Sequence, residues 1–394
     1  MENTLCDISA LLFWRTPPIV RLLTLGPADE DPLCHLVDPA RLERMRHDLV
    51  GGTRLAGLMS GPASWHAHLG AEAGPLLAAA PLLAAFTDAP VDLLVTEPAE
   101  RRRSSLVRPR VWTGELPDEA LFRLAPGLTV VPPAIALQQV AARSSLGRTI
   151  ALASELCGVF STYRPPQPLA NLLQDLFDEG RLIPYGGWSA AADNDGRLTG
   201  LWSRSPLATP AELARSAAGS GTSRGRARLE QAAGLVRPGA ASPFEVQAGM
   251  LLGLSRRRGG ESLGDFQHNH RIVLTPDAAR VAERRTCSCD LFYRSAVDPK
   301  LMGVDVECQS SAHHFGTRSS ASDANRATAL QLMGVEVVQL TYAQLADPAR
   351  FEIFSALLAE KLGLPHREKT DAQLAAQARL RAEILTDWGR LPLA

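Results

Sequence analysis

Lysine is nearly absent from this sequence, and cysteine is scarce. The chain has 41 basic residues, but only Lys300, Lys361 and Lys369 are lysines, and all the others are arginines. Lysine is a common catalytic residue, so a site in this chain has few lysines to draw on. Six cysteines in 394 residues are too few for a disulfide scaffold. We therefore expect a reduced protein whose positive charge is carried by arginine.

Long apolar runs are also missing. No run reaches the ~20 residues that a membrane span needs, and the N-terminus lacks the basic start and cleavage site of a signal peptide. We expect a cytoplasmic protein with no membrane partner. The net charge of −1 excludes a uniformly basic protein that coats DNA. The 45% hydrophobic content indicates a globular chain, and its length predicts roughly two or three folding units.

The pattern of predicted elements indicates a multi-domain α/β protein. It divides the chain into an N-terminal region without a clear fold (1–90), a small α/β unit (91–160), helices mixed with loops such as 189–200 (161–240), a strand-rich region (241–365) and a C-terminal helix (366–394). A Gly/Ser-rich stretch at 219–226 lacks the lysine of a phosphate-binding loop, so we reject that interpretation.

Two arginine tracts predict contacts with phosphate groups. Arg101, Arg102 and Arg103 fall in a polar loop, and Arg256, Arg257 and Arg258 follow a predicted helix. Between them, residues 106–112 predict a strand with outward arginines, at a sheet edge because Pro109 cannot donate a ladder hydrogen bond. A solvated loop is the alternative for either tract. Basic stretches beside acidic residues would suit a protein that binds nucleic acid.

Acidic residues on two predicted strands form the strongest candidate site. Asp305 and Glu307 share one strand face because alternate residues point the same way, and Gln309 continues that face. Asp290, on the preceding strand, can reach them. Converging carboxylates are costly without a cation, and oxygen ligands suit Mg²⁺ or Mn²⁺. Such a metal can activate water and neutralise charge on a phosphodiester.

Further candidates flank these acids. His313 and His314 follow in the next loop, and Asp323 and Arg326 lie within one turn of the next predicted helix. Glu245 follows Ser242-Pro243 at a helix start, where it is more typical of a helix cap than of a metal ligand. Asp323 has the alternative role of complementing the helix dipole.

This ordered set resembles the PD-(D/E)XK nuclease fold. More narrowly, it is similar to a small domain of unknown function related to very-short-patch-repair endonucleases. Both the motifs and their order resemble those of that group: Ser-Pro-x-Glu at 242–245, Asp290, Asp305-x-Glu307, His313 or His314, Asp-x-x-Arg at 323–326 and Gly-x-x-Val at 334–337. The resemblance covers residues 242–345 and implies a restriction-endonuclease-like mixed sheet flanked by helices, with a Mg²⁺ site.

Two departures from the nuclease pattern affect the expected chemistry. The motif places lysine where this chain has Glu307, and the subgroup has Glu before Asp where this chain has Asp305 before Glu307. The very-short-patch group also lacks the lysine and relies on histidine, so the resemblance implies that His313 or His314 acts as base or charge stabiliser. Arg326 is then expected to contact the scissile region.

Residues 90–160 are similar to the core of AbiEi-type abortive-infection antitoxins. The quoted features are the arginine loop, Arg108-Pro109-Arg110-Val111, and the run from Gly127 to Pro133 before a helix. The arginine and aspartate that are usual on that helix are missing here. This resemblance implies a setting in phage defence or toxin–antitoxin systems, with a toxin or defence protein as a partner.

Two functions follow as expectations. The first is a metal-dependent nuclease acting on DNA. The second is a catalytically inactive DNA-binding regulator or antitoxin that uses the same fold as a scaffold. A zinc site built from Cys287, Cys289, Cys308, His268 and His270 is disfavoured, because Cys-x-Cys is tighter than the usual zinc spacing.

Overall fold

The computed structural model describes residues 3–25, 36–56, 73–88, 90–97, 106–112, 121–221, 223–295, 301–309 and 320–393. In these ranges the first eight helices are α1 (Asp7–Arg15), α2 (Pro18–Leu25), α3 (Pro39–Gly51), α4 (Ala73–Ala78), α5 (Ala80–Phe86), α6 (Pro133–Ala141), α7 (Leu146–Leu156) and α8 (Gln167–Asp178). The next eight are α9 (Pro210–Gly219), α10 (Arg226–Ala233), α11 (Pro243–Gly253), α12 (Pro276–Ala282), α13 (Ser320–Leu332), α14 (Tyr342–Ala346), α15 (Pro348–Lys361) and α16 (Asp371–Ile384).

Twelve strands in the described residues form three sheets. They are β1 (Asn3–Leu5), β2 (Val91–Val95), β3 (Val107–Val111), β4 (Phe122–Ala125), β5 (Leu128–Val130), β6 (Phe160–Thr162), β7 (Ser189–Ala192), β8 (Leu198–Ser203), β9 (Gln267–Val273), β10 (Thr286–Arg294), β11 (Gly303–Gln309) and β12 (Val335–Thr341). The sheet orders are β3-β2-β1-β5-β4, β6-β8-β7 and β12-β11-β10-β9. The mixture of helices and mixed sheets confirms the predicted α/β class.

The N-terminal residues belong to the first sheet. β1 pairs with β2 and with β5, so residues 3–5 lie in the centre of a sheet whose other strands come from residues 91–130. The expected boundary at residue 90 therefore falls inside this unit. β3 lies at the edge, where Pro109 was expected. Its two arginines do not simply point into solvent, since Arg108 and Arg110 both pair with the buried carboxylate of Asp92.

The second sheet corrects the expectation of loops at 189–200. β7 and β8 form an antiparallel hairpin there, and β8 also pairs with β6. The strand β7 is Ser-Ala-Ala-Ala, a composition with weak β-propensity, so its strand conformation depends on pairing with β8 and not on local preference. The turn between β7 and β8 is stabilised by the Asp193 carboxylate, which accepts hydrogen bonds from the backbone N–H groups of Asp195 and Arg197.

The third sheet carries the predicted acids. β10 is antiparallel to β9 and β11, and β11 is parallel to β12. One face packs against α11 as part of the main hydrophobic core. The other face packs against α12 and α13 in a smaller core that includes Phe292, Ala329 and Leu330. Gly334 ends α13 with φ of +74°, as the sequence predicted, and turns the chain into β12.

The C-terminal helix α16 packs against α7 and α11, and it therefore joins the core rather than standing apart. Thr370 caps its start through a reciprocal pair of contacts with Gln373. Among the helices of the described ranges, none combines the length and apolar character needed to cross a bilayer.

Candidate functional site

The structure brings the predicted acids to adjacent positions on β10 and β11. Leu291 pairs with Val306 in the antiparallel register, which places Asp290 opposite Glu307. Asp305 lies two residues earlier on β11 and shares the face of Glu307. The Asp290 carboxylate accepts a hydrogen bond from the backbone N–H of Cys308 at 2.9 Å. The site therefore depends on the register of two strands.

A local change of face explains how Asp290 reaches this position. Cys287 and Cys289 pack in the smaller core, but Leu291 and Tyr293 pack in the main core on the other side of the sheet. Strict alternation would keep all four on one face, so β10 changes face at Asp290. Asn269 lies opposite Asp290 on β9, between the His270–Cys289 and His268–Leu291 pairs, and has φ of +48°. Such distortions often occur beside active sites.

Asn269 and Glu245 form the third side of the site. The Asn269 amide donates to Glu245 Oε2 at 2.7 Å and to the Gly239 carbonyl at 2.9 Å. Glu245 also accepts from the backbone N–H of Ala241 and from the Ser242 hydroxyl. Ser242 caps α11 as predicted, but the glutamate side chain reaches Ala241 rather than the N-cap backbone. Glu245 thus contacts the start of α11 through Ala241 and Ser242 and also belongs to the acidic cluster.

Asp305 is the least compensated member of the cluster. It is fully buried, and in the described parts of the chain its carboxylate has only the weak Cys289 thiol and the Glu307 carboxyl group as side-chain hydrogen-bond partners. Burial, reinforced by the neighbouring Glu307, raises the pKa of Asp305 to about 8. Burial together with Glu307 and Glu245 raises the pKa of Asp290, and burial raises the pKa of Glu245 to about 7. Ionising all of these neighbouring carboxyl groups at once is unfavourable unless positive charge is added.

Arg326 supplies positive charge to the cluster. It forms an ion pair with Glu307 and donates to the Ser288 carbonyl, and both charged side chains are more than four-fifths buried. Although burial opposes it, Glu307 raises the pKa of Arg326 further above its ordinary value. One guanidinium balances only one of four neighbouring carboxyl groups. Arg326 on α13 therefore pairs with Glu307 on β11.

The donor set suits a hard divalent cation, but it is not a closed cage. Asp290, Asp305 and Glu307 offer oxygen ligands, which Mg²⁺ prefers. Among the described residues, however, these acids do not form a group of three ligand atoms within 4.8 Å of one another. Mg²⁺ commonly uses one or two carboxylates and completes its shell with water and phosphate oxygens. Asp290 and Asp305 fit that kind of site as its one or two carboxylates.

No described lysine is available to replace the missing motif lysine. Lys361 pairs with Glu336, and Lys369 pairs with Glu261 and Glu352. Lys300 lies outside the described residues. In the part of the chain that the structure describes, Arg326 is therefore the only cationic side chain that forms an ion pair with these acids.

Sequence reasoning missed a second polar cluster. Glu261, Glu352 and His366 bring three ligand atoms within 4.8 Å of one another, a grouping that no other described set of such residues achieves. Lys369 already lies between both carboxylates, and its side chain is almost fully buried. The cluster is thus an ion-pair network that joins α15 to the segment before α16. Its residues are far apart in sequence, so no local motif revealed it.

The cysteines do not converge as a zinc site. Cys287 and Cys289 are buried in the smaller core, whereas Cys308 contacts the main core on the other face. His270 stacks on Phe292 with ring centroids 4.5 Å apart. Among described residues, these groups do not bring three ligand atoms together.

The remaining predicted residues do not take part in the acidic cluster or have no described side chain. Gln309 ends β11, where it pairs with Thr341 of β12. Asp323 belongs to α13, and its side chain lies outside what the structure describes. Outside the described residues altogether lie Arg101, Arg102, Arg103, His313 and His314. The second arginine tract forms a short 3₁₀ helix (Arg256–Arg258), in which Arg256 donates to the Arg367 carbonyl.

Comparison with known proteins yields no relative. The chain matches no family model. It also matches no curated protein and no solved structure. The resemblance to the nuclease group therefore rests on the residues quoted above.

Proposed function

We propose that this chain is a metal-dependent nuclease that hydrolyses phosphodiester bonds in DNA. The observation that carries the proposal is the Asp305 carboxylate, buried beside Asp290 and Glu307 with no stronger hydrogen-bond donor among the described residues than the Cys289 thiol. A fold built only for stability gains little from a buried acid with such weak hydrogen bonding, because the group is costly to desolvate. The same arrangement is useful where a cation binds during function.

Asp290, Asp305 and Glu307 are the residues that would hold Mg²⁺ or Mn²⁺. When bound, the metal would lower the pKa of water and neutralise charge on the phosphodiester. Asp305 and Asp290 would lose their protons as ligands. Arg326 would present its planar guanidinium to a phosphate oxygen, for which its fork geometry is suited. His313 or His314 is proposed as the base or charge stabiliser.

A second function is supported by the Glu307–Arg326 ion pair. This pair occupies the position where the nuclease motif has its lysine, and the described lysines are engaged elsewhere. A protein that had lost catalysis could keep the sheet and the arginines as a binding scaffold. The AbiEi-like segment adds a setting in phage defence or toxin–antitoxin systems, with a toxin or defence protein as partner. This alternative predicts DNA binding that does not respond to metal.

A cleavage assay on plasmid DNA separates the two functions. Wild type is compared with Asp305→Asn in Mg²⁺, in Mn²⁺ and in EDTA. Nuclease function predicts metal-dependent nicking that falls about a hundredfold or more in the variant, since even loss of a residue that only orients a ligand costs 10–100-fold.

Asp277→Asn is the matched control for this assay. Asp277 is an exposed acid of the same region, paired with Arg280. It should nick at the wild-type rate. Equal nicking by Asp305→Asn would contradict the proposed site. Binding of DNA without cleavage, and without any response to metal, would favour the regulator.

A further inference from the structure

A cavity of about 480 Å³ lies between α11, β8, the start of α14 and residues 385–389, which follow α16. Its lining includes three aromatic side chains, Phe244, Tyr342 and Trp388. Phe244 and Trp388 are buried, whereas Tyr342 is 42% exposed and so forms part of the opening. The Phe244 and Tyr342 rings meet edge to face, with centroids 5.7 Å apart. A cavity of this size with aromatic walls suits an organic ligand rather than a single ion.

The charged groups that line the cavity neutralise each other. Arg164 Nη1 donates to Asp387 Oδ2 at 2.8 Å, and Asp387 Oδ1 accepts from the backbone N–H of Gly389 at 3.1 Å. In the described part of the chain, the lining has no further carboxylate, ammonium or guanidinium group. The cavity therefore does not concentrate one sign of charge, as a phosphate site does, and it suits an uncharged ligand.

Gln247 supplies a hydrogen-bond acceptor in the wall of the cavity. The residue is only 4% exposed and belongs to the lining. Its amide nitrogen donates to the Ile384 carbonyl at 2.9 Å, and this contact fixes the orientation of the amide group. The amide oxygen is left without a hydrogen bond from any described residue. Because an unsatisfied acceptor in a buried side chain is costly, a ligand that donates an N–H group to it gains affinity.

The cavity adjoins the acidic cluster. Phe244 directly precedes Glu245 on α11. The first residue of α14 lines the cavity and follows directly on Thr341 of β12. Thr341 pairs with Gln309, two residues beyond Glu307 on β11. Two strand residues span about 7 Å, so the start of α14 and the acidic cluster are neighbours.

A nucleobase combines the properties that this lining selects. It is planar, aromatic and uncharged, so it can stack on an exposed aromatic ring such as that of Tyr342. The exocyclic amino group of adenine, cytosine or guanine supplies the N–H donor that the Gln247 oxygen lacks. In a duplex these faces and edges are covered by stacking and pairing. The base must therefore come from a single strand or be extruded from a duplex.

We propose that this cavity binds one nucleobase of single-stranded DNA, with its exocyclic amino group directed to Gln247 and its ring stacked on Tyr342. The base belongs to the strand whose phosphate reaches the acidic cluster. Recognition of a base stands on the cavity alone, whereas its place in a DNA strand rests on the proposed function.

Fluorescence anisotropy with labelled oligonucleotides tests the site in EDTA, without cleavage. Wild type is titrated with three single strands of equal length, which carry adenine, unsubstituted purine or no base. We expect the adenine strand to bind about tenfold more tightly than the abasic strand, because stacking is lost with the base. The purine strand lacks the amino group, so its affinity should be about three- to tenfold lower than that of the adenine strand.

Two substitutions of Tyr342 separate stacking from bulk. Tyr342→Leu removes the aromatic ring and should lose about tenfold in affinity for the adenine strand but none for the abasic strand. Tyr342→Phe keeps the ring and should match wild type. Phe122→Leu is the matched control, because Phe122 is 51% exposed and meets Trp14 edge to face, but does not line the cavity. It should also bind like wild type.

The outcomes that contradict the proposal are distinct. Equal affinity of wild type for the adenine and abasic strands would overturn base recognition, and an equal loss in Phe122→Leu would overturn its assignment to this cavity. Equal binding of the purine and adenine strands would overturn the role of Gln247. Calorimetric binding of free adenosine without binding of any strand would overturn the place of the base in DNA. None of these outcomes depends on nicking, so failure of the nuclease proposal is detected separately.

Discussion

At the scale of single residues, Asp305 links the candidate site to stability. Its carboxyl group has a pKa of about 8 in the folded chain, against an ordinary value of 3.8, because it is buried beside Glu307. The folded state therefore holds more protons than the unfolded state between these two values. By linkage, the free energy of unfolding falls as the pH rises from about 4 to about 8. Asp290 and Glu245 are shifted in the same direction.

Asp305→Asn should remove part of this pH dependence. In EDTA we expect the variant to gain about 4 kcal/mol of stability relative to wild type between pH 5 and pH 8.5, because about three pH units lie between pH 5 and the folded-state pKa of about 8 and each corresponds to about 1.4 kcal/mol. Urea unfolding at the two pH values measures this difference. A difference that is the same at both pH values would show that Asp305 is not held as the buried acid seen here. Asp277→Asn, at an exposed position, should keep the wild-type pH dependence.

At the scale of elements, the face change on β9 and β10 determines where Asp290 lies. At this face change the backbone of Asn269 is in the left-handed region, with φ of +48°. The Asn269 side chain donates hydrogen bonds to the Glu245 carboxylate and to the Gly239 carbonyl. Asparagine tolerates the left-handed region better than most residues, and glycine tolerates it without cost. The residue therefore has two separable roles, one in the backbone and one through its amide.

Two substitutions separate the roles of Asn269. Asn269→Gly keeps the backbone but removes the hydrogen bonds, so we expect a loss of about 1 kcal/mol. Asn269→Ala removes the same hydrogen bonds and also places an alanine, which has a Cβ atom, in the left-handed region. Its free energy of unfolding should therefore fall by roughly 1 kcal/mol more. Urea unfolding measures both. If alanine proved no worse than glycine, the backbone would not need the left-handed conformation.

The elements show what the sequence can reveal. Ser242 and Gly334 marked the start of α11 and the end of α13 because a capping side chain and a left-handed turn need those residue types. The shared face of Asp305 and Glu307 on β11 was also predictable, because alternate residues of a strand point the same way. The face change at Asn269 was not visible, because its pattern looks like ordinary alternation. The hairpin at 189–203 was missed because the strand conformation of these residues depends on pairing between strands and not on their β-propensity.

At the scale of the whole molecule, one carboxylate joins three distant segments. Glu155 on α7 pairs with Arg15 of α1 and accepts a hydrogen bond from Trp388 Nε1 at 2.6 Å. It also accepts from the backbone N–H of Thr162 at 3.1 Å. Both charged side chains of the ion pair are almost fully buried. The N-terminal helix, the second sheet and the C-terminal residues thus meet at one group.

Glu155→Ala should therefore weaken the molecule far from the acidic site. Removing one partner of a buried ion pair leaves the other charge uncompensated, which costs about 3–5 kcal/mol. Glu179→Ala is the control, because Glu179 pairs with Arg181 at an exposed position and should cost less than about 1 kcal/mol. Urea unfolding followed by tryptophan fluorescence and by far-ultraviolet circular dichroism measures both variants. Since the three segments share this contact, the unfolding transition followed by fluorescence and the one followed by circular dichroism should have different midpoints in Glu155→Ala. Coincident transitions with wild-type stability would show that other contacts hold the segments together.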